Sequence, residues 1–273
     1  MKTFCRATLN YVPAEGGPGA PHPAIDVEIL DGRRAGLPGW EECGFELVRH
    51  PSAVEEWTDD EEIERVHHPE VEELARAMTG ATVALVPSHI KRSPERAREH
   101  GDLSPITFVH SDFAAGYDTN IRDMYRNPSD GAARALERNG ITPGDVDRAS
   151  RIVILQLWRN LGATKMDFPL AFCDARTVGV DEGRAFLVTN YADTGATFEA
   201  IGVVAPGDGK AHRWYAFPEL TVDEAVAFRT YDTDLVARGA TYFTPHSAFR
   251  DPDVPVGRPA RSSIELRATC LFL

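Results

Sequence analysis

The sequence predicts a mainly β fold with flanking helices, in which the sheets pack as a sandwich or jelly roll. Two observations predict this fold class. From residue 151 to the C-terminus, short segments with strand character follow one another between turn residues, whereas segments with helical character fall mainly in the first half of the chain. Many short strands separated by turns are typical of sandwiches and jelly rolls. No internal repeat and no linker divides the 273 residues, so we expect a single domain over residues 1–273.

The first 104 residues are predicted to combine loops, strands and one long helix. Loops are predicted at 11–24, 31–40 and 91–104, and strands at 24–30 and 81–90. Residues 59–78 have an apolar helical face and are expected to form a helix that breaks near Pro69. His67 and His68 lie in its charged part and are expected to be solvated. We interpret residues 1–104 as an N-terminal elaboration of helices and strands around a jelly-roll core of residues 105–273.

The remaining elements predict the core. Strands are predicted at 106–112, 151–160 and 261–273, and helices at 129–139 and 221–229. The segment RIVILQLWRN (151–160) is almost continuously apolar, which is typical of a strand covered on both faces. The first helix is expected to begin after a Ser129 or Asp130 cap. The second begins with a capping-box pattern formed by Thr221 and Glu224.

Charge and composition restrict the classes of partner. The chain carries 42 acidic and 29 basic residues, a formal net charge of −13. Such a surface repels phosphate backbones and anionic membrane surfaces, so no nucleic acid or membrane partner is expected. The four cysteines include no CxxC pair, the N-terminus lacks the apolar run of a signal peptide, and no segment approaches the ~20 apolar residues of a membrane span. We therefore expect a soluble, cytoplasmic protein with reduced thiols that acts on a small molecule.

A possible metal site begins at His110-Ser111-Asp112. Residues i and i+2 of a strand point to the same face, so His110 and Asp112 would converge. With a distant histidine they would form a two-histidine, one-carboxylate facial triad, which suits iron(II) and leaves positions open for further ligands. The His-x-Asp spacing is weak by itself, because His100 and Asp102 form the same pattern in a charged loop.

The C-terminal segment contains candidates for the third metal ligand and for a carboxylate-binding site. His246 lies in TYFTPHSAF, and Arg261-Ser262-Ser263 opens the last strand fifteen residues later. An arginine fork can bind a carboxylate with two parallel hydrogen bonds, and Ser263 lies on the same strand face as Arg261. Arg267 lies on the same face. It could bind the same carboxylate ligand, pair with Glu265, or contact the residues of the site without contacting the ligand.

Two alternatives remain open for these residues. Arg258, in the turn VPVGRPAR, competes with Arg261 for the ligand carboxylate. Taken singly, a histidine such as His246 and an arginine such as Arg261 are more often structural or surface residues. The order of the residues, a strand with His-x-Asp, a long gap, a histidine and then Arg-x-Ser, favours a functional site.

Longer segments resemble the gibberellin-desaturase-like and cephalosporin-hydroxylase (CmcJ-type) family of oxygenases. The similar segments include TGATVALVPSHIKR (79–92), FVHSDF (108–113), LQLWRNL (155–161), FPLAFCDARTV (168–178) and HSAFRDP with RSSIELRA (246–268). They occur in the order of the family and cover about residues 40–273. The chain departs from the family around His89, where the family has Asp and Thr nearby, and at Asn160, where it commonly has Pro.

The resemblance implies a double-stranded β-helix (a cupin-like jelly roll) that uses iron(II), 2-oxoglutarate and dioxygen. It implies hydroxylation, desaturation or ring formation on a small molecule, often in natural-product pathways, and the carboxylate ligand Asp112 argues against halogenation. Candidate substrate residues are Trp158, Arg159, Tyr215 and Tyr117. The alternatives are a cupin-type metal enzyme that does not use 2-oxoglutarate and a non-catalytic jelly-roll binding module.

Overall fold

The computed structural model describes residues 2–15, 21–207 and 211–273, so the middle of the loop predicted at 11–24 lies outside the described residues. Its strands are β1 (Thr3–Asn10), β2 (Ala24–Asp31), β3 (Phe45–Arg49), β4 (Val83–Leu85), β5 (His89–Arg92), β6 (His110–Ser111), β7 (Arg151–Asn160), β8 (Leu170–Cys173), β9 (Gly183–Val188), β10 (Phe198–Val203), β11 (Trp214–Ala216), β12 (Glu224–Asp232), β13 (His246–Ala248) and β14 (Ser263–Phe272).

The helices lie between these strands along the chain. The α-helices are α1 (Trp40–Cys43), α2 (Asp60–Glu62), α3 (His68–Thr79), α4 (Pro94–Glu99), α5 (Tyr117–Arg126), α6 (Asp130–Asn139), α7 (Pro143–Arg148) and α8 (Thr233–Ala237). A π-helical turn spans Ile63–His67, and 3-10 turns span Gly32–Arg34, Gly101–Leu103, Ala175–Thr177, Val180–Glu182 and Tyr191–Asp193. Among the described residues, no helix has the length and apolar character that crossing a membrane requires.

Two sheets make up the core, which confirms the mainly β prediction. Within the described residues, one sheet has the order β1-β2-β11-β8-β13-β6-β10-β9 and the other the order β3-β12-β7-β14-β4, with β5 also paired to β14. Strands from the first 104 residues lie in both sheets, because β1 and β2 extend the first and β3, β4 and β5 belong to the second. The interpretation of the chain as one domain stays a prediction.

The two long strands of the second sheet occupy the predicted positions. Strand β7 spans the ten residues predicted, and β14 pairs with it over its whole length. Alternate side chains of β14, from Ile264 to Cys270, pack with Val71 and Ala75 of α3 in one apolar cluster. The other face of β14, which carries Ser263, Glu265 and Arg267, points between the sheets. This face positions the polar residues of the site described below.

The helix predicted at 59–78 is continuous through Pro69. Its α-helical parts are joined by the π-helical turn Ile63–His67, and Pro69 lies in the first turn of α3. A proline ring clashes with the carbonyl four residues earlier, here that of Arg65, and a widened turn relieves that clash without ending the helix.

His67 and His68 are buried, so the prediction that they are solvated is wrong. They are only 1% and 2% exposed, respectively, because this part of the helix faces the second sheet. His67 Nδ1 lies 2.9 Å from Glu70 Oε2, and His68 Nε2 lies 3.1 Å from His89 Nδ1. Burial lowers the pKa of His67 to about 4 and that of His68 to about 3.

These buried histidines predict a loss of stability in acid. The pKa of His68 is lower in the folded protein than the usual value of 6.5, so the unfolded chain binds the extra proton as pH falls below about 6.5. Stability is therefore present at neutral pH and is lost as pH falls from about 6.5 towards 3. Between pH 7 and 5, His68 is expected to contribute about 2 kcal/mol to this loss.

Urea unfolding of the metal-free wild type and of His68→Gln at pH 7 and pH 5 measures this contribution. We expect the change in unfolding free energy between the two pH values to be smaller in the variant by that amount. An equal change in both proteins would mean that His68 does not have a lowered pKa.

Two local predictions are wrong and one is confirmed. Residues 224–232 form strand β12 rather than a helix, although the Thr221 N–H does donate to Glu224 Oε2, as one half of the capping pattern predicts. Strand β12 lies between β3 and β7, and hydrogen bonds on both of its edges outweigh one local cap. The segment predicted as a loop at 91–104 contains α4, which begins after a Ser93 cap. Helix α6 begins at Asp130 after a Ser129 cap, as predicted.

Candidate metal centre

Adjacent strands bring His110 and His246 together. Strand β6 pairs with β13, and His110 lies directly opposite His246 in that register. The two imidazole rings have centroids 4.4 Å apart. Asp112 lies two residues beyond His110 and on the same side, as the alternation of strand residues predicts. Their ligand atoms all lie within 4.8 Å of one another, and the three residues are buried.

Hydrogen bonds fix which ring nitrogens face Asp112. His110 Nδ1 lies 2.8 Å from the carbonyl oxygen of Phe108, and His246 Nδ1 lies 3.1 Å from that of Thr244. A carbonyl only accepts, so each Nδ1 is the donor and each Nε2 keeps a free lone pair. His110 Nε2 is 3.9 Å and His246 Nε2 is 4.0 Å from Asp112 Oδ1.

The electrostatics of the three residues favour their metal-binding protonation states. Burial lowers the pKa of His110 to about 3, and burial also lowers that of His246, so both imidazoles are neutral at pH 7. Burial by itself would raise the pKa of Asp112, but the nearby Arg267 guanidinium reverses this and the net pKa is lowered. Neutral imidazole and ionised carboxylate are the forms that coordinate metals.

The donor set fits iron(II). Two neutral imidazole nitrogens and one carboxylate oxygen, with no fourth ligand in the cluster from the part of the chain that the structure describes, make up the facial triad used by non-haem iron(II) oxygenases. The side chains of the second His-x-Asp pair lie in a different network. His100 and Asp102 contact one another and residues 192–193 of a neighbouring loop.

Arg261 is buried and has no acidic partner among the described residues. The side chain is 5% exposed, Nε donates to Ser263 Oγ at 3.0 Å, and the guanidinium carbon lies 5.1 Å from the centre of the Trp158 ring. Nη1 is buried without a hydrogen-bond partner. Burial lowers the pKa of Arg261 to about 9, with a further contribution from Arg92. A buried cation without an acidic partner is costly, so this position suits an anionic ligand.

The two competing arginines differ from Arg261 in their surroundings. Arg258 is exposed in the turn before β14. The Nε atom of Arg267 donates to Asp112 Oδ2 at 3.0 Å, and its Nη2 atom lies 3.2 Å from Glu265 Oε1. Arg267 therefore already has two acidic partners, Asp112 and Glu265. This pairing favours the alternative in which Arg267 contacts residues of the site rather than the ligand.

The four residues predicted to contact the substrate do not lie together in the structure. Trp158 points between the sheets towards Arg261, and its Nε1 atom is buried without a partner. Tyr117 stacks on Phe113 with ring centroids 3.9 Å apart, next to the Arg267 guanidinium.

The other two candidates lie elsewhere, and a role for them in substrate binding stays a prediction. Arg159 follows Trp158 on a strand and so faces the helix-covered side, where its guanidinium hydrogen-bonds His50 at 2.8 Å and lies over Trp57. Tyr215 packs against the Phe45 ring, 5.9 Å away, and belongs to an apolar core cluster.

Sequence reasoning missed Arg92 and Tyr191. Arg92 is 4% exposed and donates to Glu265 Oε1 at 3.2 Å and to the Tyr191 hydroxyl at 2.9 Å. The sequence places Arg92 among exposed charged residues. In the structure, the pairing of Arg92 with Ser263 in the β5–β14 register brings it to the site, and no local sequence pattern indicates this pairing.

Comparisons with known proteins are consistent with this geometry. The model of a family described as "Oxidoreductase/YMDC permease-like domain" matches residues 18–271. The hydroxylase/desaturase CTB9 of Cercospora beticola is 30% identical over 241 residues, which are 82% of this chain and 69% of that protein. The alpha-ketoglutarate-dependent dioxygenase phiK of a fungus (strain ATCC 74256) is 27% identical over 85% of this chain and 79% of its own length. A solved structure of the iron and alpha-ketoglutarate-dependent endoperoxidase NvfI matches with a TM-score of 0.72 at 21% identity, covering 99% of this chain and 98% of that one.

Proposed function

The chain belongs to the family of iron(II)- and 2-oxoglutarate-dependent oxygenases, and we propose that His110, Asp112 and His246 hold its iron. The observation that carries the proposal is the convergence of two free Nε2 atoms on one carboxylate oxygen in a buried site. When bound, iron(II) with 2-oxoglutarate and dioxygen supplies the oxidation that hydroxylates or desaturates a small-molecule substrate.

Arg261 is proposed to bind the carboxylate of 2-oxoglutarate that lies farther from the metal. Its buried guanidinium has an Nη1 atom with no partner among the described residues, and it contacts Ser263 on the face of β14 that also carries Arg267, which contacts Asp112. Arg261 Nε donates to Ser263 Oγ, and this hydrogen bond fixes the orientation of the guanidinium and of its Nη1 atom. Trp158 supports the guanidinium through its ring face, and its unpartnered indole N–H is a further donor for a ligand. We therefore assign Trp158 to the 2-oxoglutarate site rather than to the substrate site.

Tyr117 and its neighbours are proposed to line the substrate side. Phe113, Tyr117 and Phe198 form an aromatic group with ring centroids 3.9 to 6.4 Å apart. This group adjoins the metal ligands through Asp112, the neighbour of Phe113. An aromatic wall excludes water and orients an apolar substrate beside the metal. We propose a largely apolar, natural-product-type substrate for this wall.

A coupled assay tests the proposal. The purified full-length chain is incubated anaerobically with iron(II) and 2-oxoglutarate, then exposed to oxygen with and without a panel of apolar natural products. We expect succinate release that requires iron and 2-oxoglutarate, and products that have gained one oxygen or lost two hydrogens by mass spectrometry. Oxidised product without succinate would indicate a cupin-type enzyme that does not use 2-oxoglutarate. Metal-independent binding without turnover would indicate a non-catalytic module.

A further inference from the structure

The carboxylate of Asp112 is held in an asymmetric way. Arg267 approaches only one of its oxygens, with Nε 3.0 Å and Nη2 2.9 Å from Oδ2. The other oxygen, Oδ1, is the atom closest to the Nε2 atoms of His110 and His246. A guanidinium usually divides its two N–H groups between the two oxygens of a carboxylate. Here Nε donates to Oδ2 and Nη2 lies nearest the same oxygen, so Oδ1 is left for the metal.

We infer that Arg267 is a positioning residue that holds Asp112 through Oδ2 and thereby fixes the orientation in which Oδ1 is presented to the metal. This inference rests on the proposed function. Its consequence concerns the number of free coordination positions. Three single-atom protein ligands leave the positions that 2-oxoglutarate and dioxygen need, whereas a carboxylate that binds through both oxygens fills one more.

Arg267 is itself fixed by a buried chain of charges. Its Nη2 atom also lies 3.2 Å from Glu265 Oε1, and that same oxygen lies 3.2 Å from Arg92 Nη2. Arg92 in turn donates to the Tyr191 hydroxyl at 2.9 Å and to the carbonyl oxygens of Asp102 and Ser104. Asp112 and Glu265 thus alternate with two arginines, so each buried charge has an opposite neighbour. Such a chain leaves Arg267 little freedom to release Oδ2.

A purely structural role for the Arg267–Asp112 pair predicts a different result. If Arg267 acted only as a nearby positive charge, its removal would tighten the binding of a divalent cation, because like charges repel. If Arg267 orients the ligand, its removal weakens cation binding, since outer partners of metal ligands typically contribute about 10- to 100-fold to metal affinity. The two roles therefore predict changes of opposite sign.

Calorimetric titration of the metal-free full-length chain with Mn²⁺, in the absence of 2-oxoglutarate, separates these roles. We expect Arg267→Met to bind Mn²⁺ about 10- to 100-fold more weakly than the wild type. Arg267→Lys, which can still donate to Oδ2, should recover part of the lost affinity. Glu265→Gln removes the charge that pairs with Arg267 and should show a smaller loss of Mn²⁺ affinity. It serves as a second variant if Arg267→Met does not fold.

Arg151→Met is the matched control. Arg151 also contacts a buried aspartate through Nε and Nη2, at 3.1 and 2.6 Å from Asp232, and its guanidinium lies over the Phe272 ring. Its side chain is 32% exposed, against 27% for Arg267. This variant loses a comparable ion pair elsewhere in the protein and should keep wild-type Mn²⁺ affinity.

The outcomes are distinguishable. Unchanged or tighter Mn²⁺ binding by Arg267→Met, or equal losses in Arg267→Met and Arg151→Met, would overturn the positioning role while leaving the proposed metal site intact. No Mn²⁺ binding by the wild type would instead remove the proposed function. A crystal structure of the Mn²⁺-bound wild type with both Asp112 oxygens on the metal would also overturn the inference.

Discussion

Asp112→Ala is expected to lose divalent metal binding and 2-oxoglutarate turnover together. Asp112 is the only anionic member of the buried cluster formed with His110 and His246, so its removal leaves a divalent ion with two neutral ligands in a buried site. The loss of Mn²⁺ affinity should exceed the roughly 100-fold that the loss of an outer partner costs. Calorimetric titration with Mn²⁺ and an assay of succinate release measure the two effects separately.

Asp102→Ala provides the control for this prediction. Asp102 belongs to the other His-x-Asp pair of the chain, and its carboxylate accepts a hydrogen bond from the backbone of Ala192. This variant should bind Mn²⁺ like the wild type, because neither His100 nor Asp102 contacts the cluster. Wild-type Mn²⁺ affinity in Asp112→Ala would rule out the proposed ligand set, whatever the activity of the variant.

The parts of the fold that could be predicted from the sequence are those in which one strand is buried on both faces. Strand β7 is apolar from Ile152 to Trp158 apart from Gln156, so no helical period competes with the strand interpretation. In β14 the alternation of apolar and polar residues separates the packing face of Ile264 from the site face of Arg267. The convergence of His110 and Asp112 follows from the same period of two.

The predictions that failed depended on local signals that longer-range contacts override. The Thr221 N–H donates to the Glu224 carboxylate, one of the two hydrogen bonds of a capping box, but the next residues pair with strands on both sides. His67 and His68 follow a run of charged residues, yet this part of the helix packs on the second sheet. Trp158 and Arg159 show how strand geometry limits such predictions. Neighbouring residues of a strand point to opposite faces, so the two could not both line one pocket.

The pairing of Arg267 with Asp112 could not be predicted from the sequence. The two residues are 155 positions apart, and the contact depends on how the two sheets face one another rather than on any local pattern. The same holds for Arg92, whose burial results from the short strand β5 joining the edge of β14. Sequence order suggested that an arginine of this last segment binds a carboxylate. The choice of Arg261 over Arg258 and Arg267 required knowing which guanidinium was already paired.

Arg261→Leu is expected to weaken 2-oxoglutarate binding while metal binding survives. The variant loses the hydrogen bonds of a charged donor to the ligand carboxylate, which are worth roughly 1.5–3 kcal/mol. This loss corresponds to an affinity about 10- to 150-fold lower. Calorimetric titration of 2-oxoglutarate into the Mn²⁺-loaded proteins under nitrogen measures the difference. Mn²⁺ affinity should stay at the wild-type level, because Arg261 does not contact Asp112, His110 or His246.

Thermal or urea unfolding provides a second readout for Arg261→Leu. The wild type buries a guanidinium whose Nη1 has no partner, so without ligand the leucine variant should be at least as stable. At a 2-oxoglutarate concentration about 100 times the wild-type dissociation constant, the wild type should gain about 2.7 kcal/mol. A variant with 100-fold weaker binding should gain only about 0.4 kcal/mol under the same conditions.

Arg258→Leu is the control, since Arg258 is exposed in the same segment and should bind 2-oxoglutarate like the wild type. If Arg258→Leu lost affinity and Arg261→Leu did not, the carboxylate site would have to be reassigned to the turn before β14. If the wild type bound Mn²⁺ but gained no stability from 2-oxoglutarate, the unpaired Arg261 guanidinium would need a different anion. A ligand that stabilises the wild type but not Arg261→Leu would then identify that anion, because only a partner of the buried guanidinium distinguishes the two proteins.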